Sequence, residues 1–183
     1  MESHLNDEQK KTLLSLARET ISRYLEKGEI FNPQIDDQAL CEVMGVFVTL
    51  RKADNLRGCI GNIIGTKPLY IGVRDTAIAS ATQDPRFSPL QADELEEVNI
   101  EISVLTPLEE VSDPGKIIMG THGVLVKDSF RSGVFLPQVA TETGWSREKF
   151  MNNLCAQKAG MKADAWEKGE CEIYTFTAEV FKE

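Results

Sequence analysis

The sequence predicts an α+β fold with mainly antiparallel sheets packed by helices. Its extended runs fall into two hairpin candidates and two single strands, and helical segments separate them at unequal spacing. A doubly wound parallel sheet needs regular βαβ alternation, which this chain lacks. A hairpin-helix-strand pattern occurs once in each half, so we expect one domain over residues 1–183 that is built from two lobes.

The first half predicts two helices, a hairpin and a strand. Asn6 and Gln9 have the spacing of a capping box, and Gly28 suits the left-handed position at a helix end. A hairpin is predicted from 45–52 and 56–64 around a polar turn. The first helix is expected to bury a face formed by Leu13, Ala17, Ile21 and Leu25. A second helix is predicted from Thr66-Pro68 to Asp84-Pro85, and the residues on its buried face are Leu69, Val73, Ala77 and Ala81. Residues 98–105 are expected to form a half-buried strand.

The second half predicts another hairpin, a helix and a terminal strand. Residues 123–127 and 134–137 form the hairpin candidate, and Ser146 begins a helix that Gly160 ends. Residues 171–181 are expected to form one strand, which would place Tyr174, Phe176, Ala178 and Val180 on the same face.

Composition restricts the class of protein. Lys and Arg total 20 against 29 Asp and Glu, a net charge of −9 that argues against binding of nucleic acid. No run approaches eighteen apolar residues, and the first residues have no basic or apolar signal-peptide region. We therefore expect a soluble, cytoplasmic protein with no membrane segment.

Histidine and cysteine are scarce. The histidines are His4 and His122, and the cysteines are Cys41, Cys59, Cys155 and Cys171. This set contains no Cys-x-x-Cys or His-x-x-x-His spacing, so neither a metal site nor a cofactor is predicted. Because the cytosol is reducing, all four thiols are expected to be free.

The densest group of special residues surrounds Cys59. Gly58 and Gly61 remove side-chain bulk near the thiol, and Arg57 could favour a thiolate and bind an anionic group. Arg57, Gly58 and Gly61 are therefore also candidate binding residues. A cysteine nucleophile would take His122 as its proton partner, since that is the one histidine outside the N-terminal tail. The alternative is that Cys59 is a small apolar residue on a strand whose glycines mark a bulge or close packing.

Three further positions are candidates for ligand binding, each with a structural alternative. Arg86 could bind an anion beside Asp84, or the pair could form a turn in which the carboxylate caps backbone donors. Gln138 could orient a ligand through its amide, or satisfy backbone groups next to a proline. Similarly, a loop histidine such as His122 often has a structural hydrogen bond instead of a catalytic role.

Several motifs, in order, resemble landmarks of the AMMECR1 domain family. The signature is Leu56-Arg57-Gly58-Cys59-Ile60-Gly61, and it is identical to the family's hexapeptide. The other matches are Asp84-Pro85-Arg86-Phe87, the strand from Ile100 to Pro107, Gly120-Thr121-His122-Gly123, Leu136-Pro137-Gln138-Val139 and Lys158-Ala159-Gly160 with Trp166.

The resemblance implies two unequal lobes with a cleft onto which the signature opens. It also implies an accompanying Memo-like protein and a radical SAM protein, but it brings no established reaction. Two hypotheses follow. The chain is either a catalytic or substrate-handling subunit of a modification system that uses Cys59, or an adaptor module that presents a small molecule or peptide to a partner enzyme.

Overall fold

The computed structural model describes residues 5–183, and these divide into two compact units. The first unit takes the chain up to Leu105 together with Glu179–Glu183, and the second takes Thr106–Ala178. Each unit has a four-stranded sheet and its own buried apolar core. Helices combined with antiparallel strand pairs confirm the predicted α+β class.

The first sheet has the strand order β2-β1-β3-β8. Its strands and the two helices of the first unit are α1 (Asp7–Lys27), β1 (Gly45–Lys52), β2 (Asn55–Asn62), α2 (Leu69–Thr82), β3 (Val98–Leu105) and β8 (Ala178–Lys182). A short 3-10 helix, Ala92–Glu97, precedes β3.

Local signals set the limits of α1. Gln9 N–H donates to the Asn6 side chain at 2.9 Å, and Asn6 N–H donates to the Gln9 side chain at 2.8 Å, which confirms the capping box. Gly28 ends the helix with φ of 70°, in the left-handed region that favours glycine. Leu13, Ala17 and Ile21 of the predicted apolar face are fully buried, which confirms that part of the prediction.

The β1–β2 hairpin gives the first sheet two chemically different faces. Its turn places Ala53 and Asp54 at positive φ, as a tight hairpin with the twist of its strands requires. On one face, alternate residues of β1 and β3 pack with α1 and α2 in a single core, and they include Val46, Val48, Leu50, Ile100 and Ile102. Alternation places the intervening, more polar residues on the opposite face.

The second unit is built around Phe150. Its ring is fully buried, with its centroid 5.1 Å from that of Phe135. The sheet order is β4-β7-β5-β6. The elements are β4 (Glu109–Glu110), β5 (Gly123–Lys127), β6 (Ser132–Phe135), α3 (Pro137–Thr143), α4 (Arg147–Asn153) and β7 (Glu172–Phe176), with a short 3-10 helix over Pro114–Lys116.

The prediction of one terminal strand is wrong. The chain forms β7 and β8, which belong to different sheets, and Thr177 lies between them. Thr177 N–H donates to the Thr106 hydroxyl at 2.9 Å, and Thr106 N–H donates to the Thr177 carbonyl at 3.0 Å. The predicted face is consequently not uniform: Phe176 is buried, whereas Val180 is 42% exposed.

The predicted helix from Ser146 to Gly160 begins as expected, but it changes from an α-helix to a π-helical turn before it ends. Ser146 accepts a hydrogen bond from Lys149 N–H, as an N-cap does. After α4 the chain continues as a π-helical turn, Leu154–Lys158, before Gly160 adopts positive φ. No helix within residues 5–183 is long and apolar enough to cross a membrane.

Candidate functional site

Three side chains of different chemistry form a cross-strand row on the polar face of the first sheet. Cys59 of β2 lies opposite Thr49 of β1, and Thr49 lies opposite Glu101 of β3. Directly opposed residues of antiparallel strands have Cβ atoms about 4.5–5.5 Å apart. The row therefore presents a thiol, a hydroxyl and a carboxylate side by side, and we call it the cysteine row.

The Cys59 thiol has a specific hydrogen-bond donor. Thr49 is buried, and its hydroxyl donates to Cys59 Sγ at 3.2 Å. A donor aimed at sulfur stabilises negative charge that develops there during attack. Cys59 itself is half-buried.

Glu101 completes the row with a free carboxylate. It is half-buried, and the structure records no hydrogen bond or ion pair of its side chain with any residue of 5–183. A carboxylate in this position can accept a proton from a bound molecule. No local sequence feature relates Thr49 or Glu101 to Cys59; strand register is the signal that does so.

The backbone of Cys59 is fixed by the predicted pair Asp84 and Arg86. Cys59 N–H donates to Asp84 Oδ2 at 2.8 Å, and Arg86 Nη2 donates to the Cys59 carbonyl at 3.4 Å. Arg86 also binds both carboxylate oxygens, through Nη2 at 2.7 Å and Nε at 3.0 Å. Asp84 thus caps backbone donors, as the turn interpretation expected, and it does so for the cysteine.

The electrostatics of this group favour an ionised Asp84. Its side chain is buried, and the hydrogen bonds from the Arg86 side chain hold the pKa of the Asp84 carboxyl well below its usual range. The guanidinium of Arg86 remains half exposed beside it. Because the ionised Asp84 balances the charge of Arg86, anion binding by this half-exposed guanidinium stays a prediction.

Arg57 is already paired. Its Nη2 donates to Glu94 Oε2 at 2.9 Å, and its Nη1 donates to the Ser88 carbonyl at 2.9 Å. The Arg57 side chain lowers the pKa of Glu94 to about 2. Because the charge of the guanidinium is balanced by Glu94, its effect on a thiolate stays a prediction.

The two signature glycines have a packing role. A Cβ atom at Gly58 would lie 2.1 Å from the Ser80 carbonyl oxygen, and one at Gly61 would lie 2.3 Å from the Phe47 ring. Ser80 joins α2 to the strands, since its hydroxyl accepts from Ile60 N–H at 2.9 Å and donates to the Val48 carbonyl at 2.8 Å. Glycine is required for this close approach; ligand binding at Gly58 and Gly61 stays a prediction.

His122 belongs to the second unit, where its ring has a defined orientation. Ile118 N–H donates to His122 Nδ1 at 3.2 Å, and His122 N–H donates to the Ile118 carbonyl at 2.9 Å. With Nδ1 acting as acceptor, the proton of the neutral ring is on Nε2. His122 therefore offers a hydrogen-bond donor at Nε2.

Gln138 also belongs to the second unit, at the start of α3. Its Oε1 atom is buried and has no hydrogen-bond partner within residues 5–183. An unsatisfied buried acceptor is costly and rare in native proteins. This acceptor lacks a donor among the described residues, and ligand binding by Gln138 stays a prediction.

The predicted site residues fall into two groups. The structure brings together Cys59, Asp84 and Arg86, and places Arg57 on the same strand. His122 and Gln138 lie in the other unit, so the pairing of Cys59 with His122 stays a prediction. His4 falls outside the described residues. No cluster of three His, Cys, Asp or Glu residues suited to a metal ion occurs in the described part of the chain.

Comparison with known proteins places this chain among relatives of the same size. The chain is 45% identical to protein MK0488 of Methanopyrus kandleri, with 100% of this chain and 92% of the relative aligned. It is 40% identical to a protein of Methanothermobacter thermautotrophicus, with 98% and 96% aligned. These relatives are archaeal proteins.

A solved structure and a family model agree with these relatives. The crystal structure of the uncharacterized protein PH0010 from Pyrococcus horikoshii superposes with a TM-score of 0.92 at 40% identity, over 99% of this chain and 94% of that one. The AMMECR1 family model matches residues 14–181. The chain therefore belongs to the AMMECR1 family.

Proposed function

We propose that this protein is a catalytic or substrate-handling subunit of a modification system in which Cys59 acts as a nucleophile. Its Sγ adds to an electrophilic double bond of the substrate, so that an S–C bond forms as the S–H bond and the π bond break, and the thiol proton passes to the far atom of that double bond. The observation that carries the proposal is the hydrogen bond from the buried Thr49 hydroxyl to Cys59 Sγ. A structural cysteine needs no such donor, whereas a nucleophilic sulfur gains from one. The family resemblance adds a Memo-like protein and a radical SAM protein as proposed partners.

The surrounding groups supply the other requirements of a covalent step. Asp84 and Arg86 bind the N–H and the carbonyl of Cys59, which fixes the direction of its Cα–Cβ bond. Glu101 can accept a proton from the substrate, and the exposed Arg86 guanidinium can bind an anionic group. We assign His122 the role of a donor through Nε2, and Gln138 that of an acceptor for a ligand donor.

One observation favours the adaptor alternative. Arg57 is paired with Glu94, and Arg86 is paired with Asp84, so the thiol lacks the free adjacent cation of many reactive cysteines. In an adaptor, the cysteine row would line a recognition surface for a small molecule or peptide without forming a bond to it.

Co-expression with the proposed partners tests the covalent role. The protein is produced with a Memo-like and a radical SAM protein of the same genome, and its intact mass and peptides are measured. We expect an adduct on the peptide containing Cys59, no adduct in Cys59→Ser, and an unchanged adduct in the matched control Cys41→Ser, because Cys41 lies outside the row.

The same experiment can instead support the adaptor alternative. The covalent role is rejected if the wild type carries no adduct on Cys59 and the Cys59→Ser protein keeps the full activity of the co-expressed system. That result supports substrate presentation. An adduct confined to another cysteine also rejects the covalent role.

A further inference from the structure

Arg51 is a cation on the same sheet face as the cysteine row. It follows Leu50 in β1, and because Leu50 packs in the core with the helices, strand alternation places Arg51 on the opposite face with Thr49. Within residues 5–183 the Arg51 side chain makes one hydrogen bond, from Nη1 to the Asp54 carbonyl at 3.4 Å, and no ion pair. Its guanidinium therefore has no carboxylate bound to it.

The other two arginines near Cys59 differ in this respect. Arg57 is paired with Glu94 at 2.9 Å, and Arg86 is paired with Asp84 at 2.7 Å. Arg51 lies two residues from Thr49 along β1, a distance of about 7 Å. It is therefore placed to bind a group of the substrate, not to pair with the thiol itself.

Glu101 provides the opposite charge on this face. The register of β1 and β3 pairs Thr49 with Glu101 and Arg51 with Asn99, so Arg51 and Glu101 are diagonal neighbours. Residues in this relation are about 7–8 Å apart. The described chain contains no ion pair between them, so a cation and an anion stand side by side, and each can bind the complementary charge of a ligand.

The face opens to solvent at this end. Along β3 its residues change from the buried Ser103 through the half-buried Glu101 to the exposed Asn99. Arg51 and Cys59 are also half-buried. A small molecule can therefore reach both charges and the thiol from the same side of the sheet.

We propose that the substrate of Cys59 is a zwitterionic, unsaturated amino acid, with its carboxylate bound by Arg51 and its ammonium group by Glu101. The proposal rests on the nucleophilic role of Cys59 and names the class of its substrate. A guanidinium donates paired hydrogen bonds to a carboxylate, and a carboxylate accepts them from an ammonium group. A ligand with one charge would meet one attractive and one repulsive group, whereas a zwitterion satisfies both. Two charged contacts also orient the double bond relative to Cys59 Sγ.

Two maleimides of equal net charge test the proposal. Nε-maleoyl-lysine is zwitterionic, N-ethylmaleimide is uncharged, and both accept a thiol across their double bond. Their rates at Cys59 and at the exposed Cys41 are measured on the folded full-length protein by peptide mass spectrometry. The rate ratio of the two reagents at Cys59 is divided by the same ratio at Cys41, and we expect this normalised ratio to be about five.

Arg51→Gln and Glu101→Gln should each reduce the normalised ratio below about two. Because the ratio compares two reagents at one thiol, it cancels any change in the reactivity of Cys59. The matched controls remove the same charges at exposed positions: Lys27→Gln in α1, which packs against the other face, and Glu96→Gln before β3. Both controls should keep the wild-type ratio.

A normalised ratio of one in the wild type overturns the recognition of a zwitterion. So does a wild-type ratio that survives either Arg51→Gln or Glu101→Gln. The proposed function fails by a different readout, a Cys59 that reacts with N-ethylmaleimide no faster than Cys41 does. In that case a normalised ratio that depends on both charges still supports binding of the zwitterion, by an adaptor.

Discussion

Gly58→Ala is expected to destabilise the first unit by about 3 kcal/mol. The added methyl group would lie 2.1 Å from the Ser80 carbonyl oxygen, which is backbone and cannot rotate away. Strand β2 or helix α2 must therefore move, and the hydrogen bond between Ile60 N–H and the Ser80 hydroxyl is lost with it. Urea unfolding followed by circular dichroism measures the effect.

Gly72→Ala is the matched control for this substitution. It lies in α2 of the same unit, and its Cβ would lie 3.1 Å from a side-chain methyl of Val46. Alanine also favours the helix by about 1 kcal/mol relative to glycine, so we expect a net change below about 1 kcal/mol. A Gly58→Ala protein as stable as Gly72→Ala would show that β2 does not need glycine for its approach to α2.

Asp84→Asn is expected to lower stability by about 2–3 kcal/mol at neutral pH. The substitution removes the charge that pairs with Arg86, and it replaces one of the two oxygens that accept from Cys59 and Arg86 by a donor. Because Arg86 is half exposed, water can compensate part of the loss. Asp93→Asn, at an exposed position, is the control and should change stability by less than about 0.5 kcal/mol.

The same carboxylate predicts how stability depends on pH. The pKa of Asp84 is lower in the folded protein than in the unfolded chain, so the unfolded state binds more protons in acid. The stabilisation is present above the unfolded pKa of about 4 and is lost as pH falls below it. Glu94, with a folded pKa of about 2, acts in the same direction.

Unfolding at pH 7, 5, 4 and 3 measures this dependence. Wild type should lose stability from pH 5 downward more steeply than Asp84→Asn, which lacks the Asp84 carboxyl group. Parallel pH profiles for the two proteins would contradict the placement of an ionised Asp84 beneath Cys59.

Elements with local signals were predictable from the sequence. The capping box of Asn6 and Gln9 and the glycine at position 28 fix α1 through contacts between near neighbours. The division of the C-terminal segment into β7 and β8 was not predictable, because the alternating pattern continues through Thr177. The change from one sheet to the other depends on Thr106, which is 71 residues away. A pattern of period two cannot report which sheet a strand joins.

The site was predictable only in part for the same reason. Cys59 belongs to a distinctive hexapeptide, and Asp84 and Arg86 follow a helix end in a recognisable turn. Thr49 and Glu101 are ordinary strand residues, and only the register of three strands places Thr49 next to the thiol and Glu101 next to Thr49.

The rate of alkylation of Cys59 relative to Cys41 tests the central claim most directly. Iodoacetamide is applied at neutral pH and each cysteine peptide is quantified by mass spectrometry over time. Cys41 is exposed and Cys59 half-buried, so accessibility alone makes Cys41 the faster. A nucleophilic Cys59 is expected to react about tenfold faster than Cys41 and to lose most of that advantage in Thr49→Val, which removes the hydroxyl donor. A Cys59 that reacts no faster than Cys41, with no change in Thr49→Val, would contradict the proposed nucleophile.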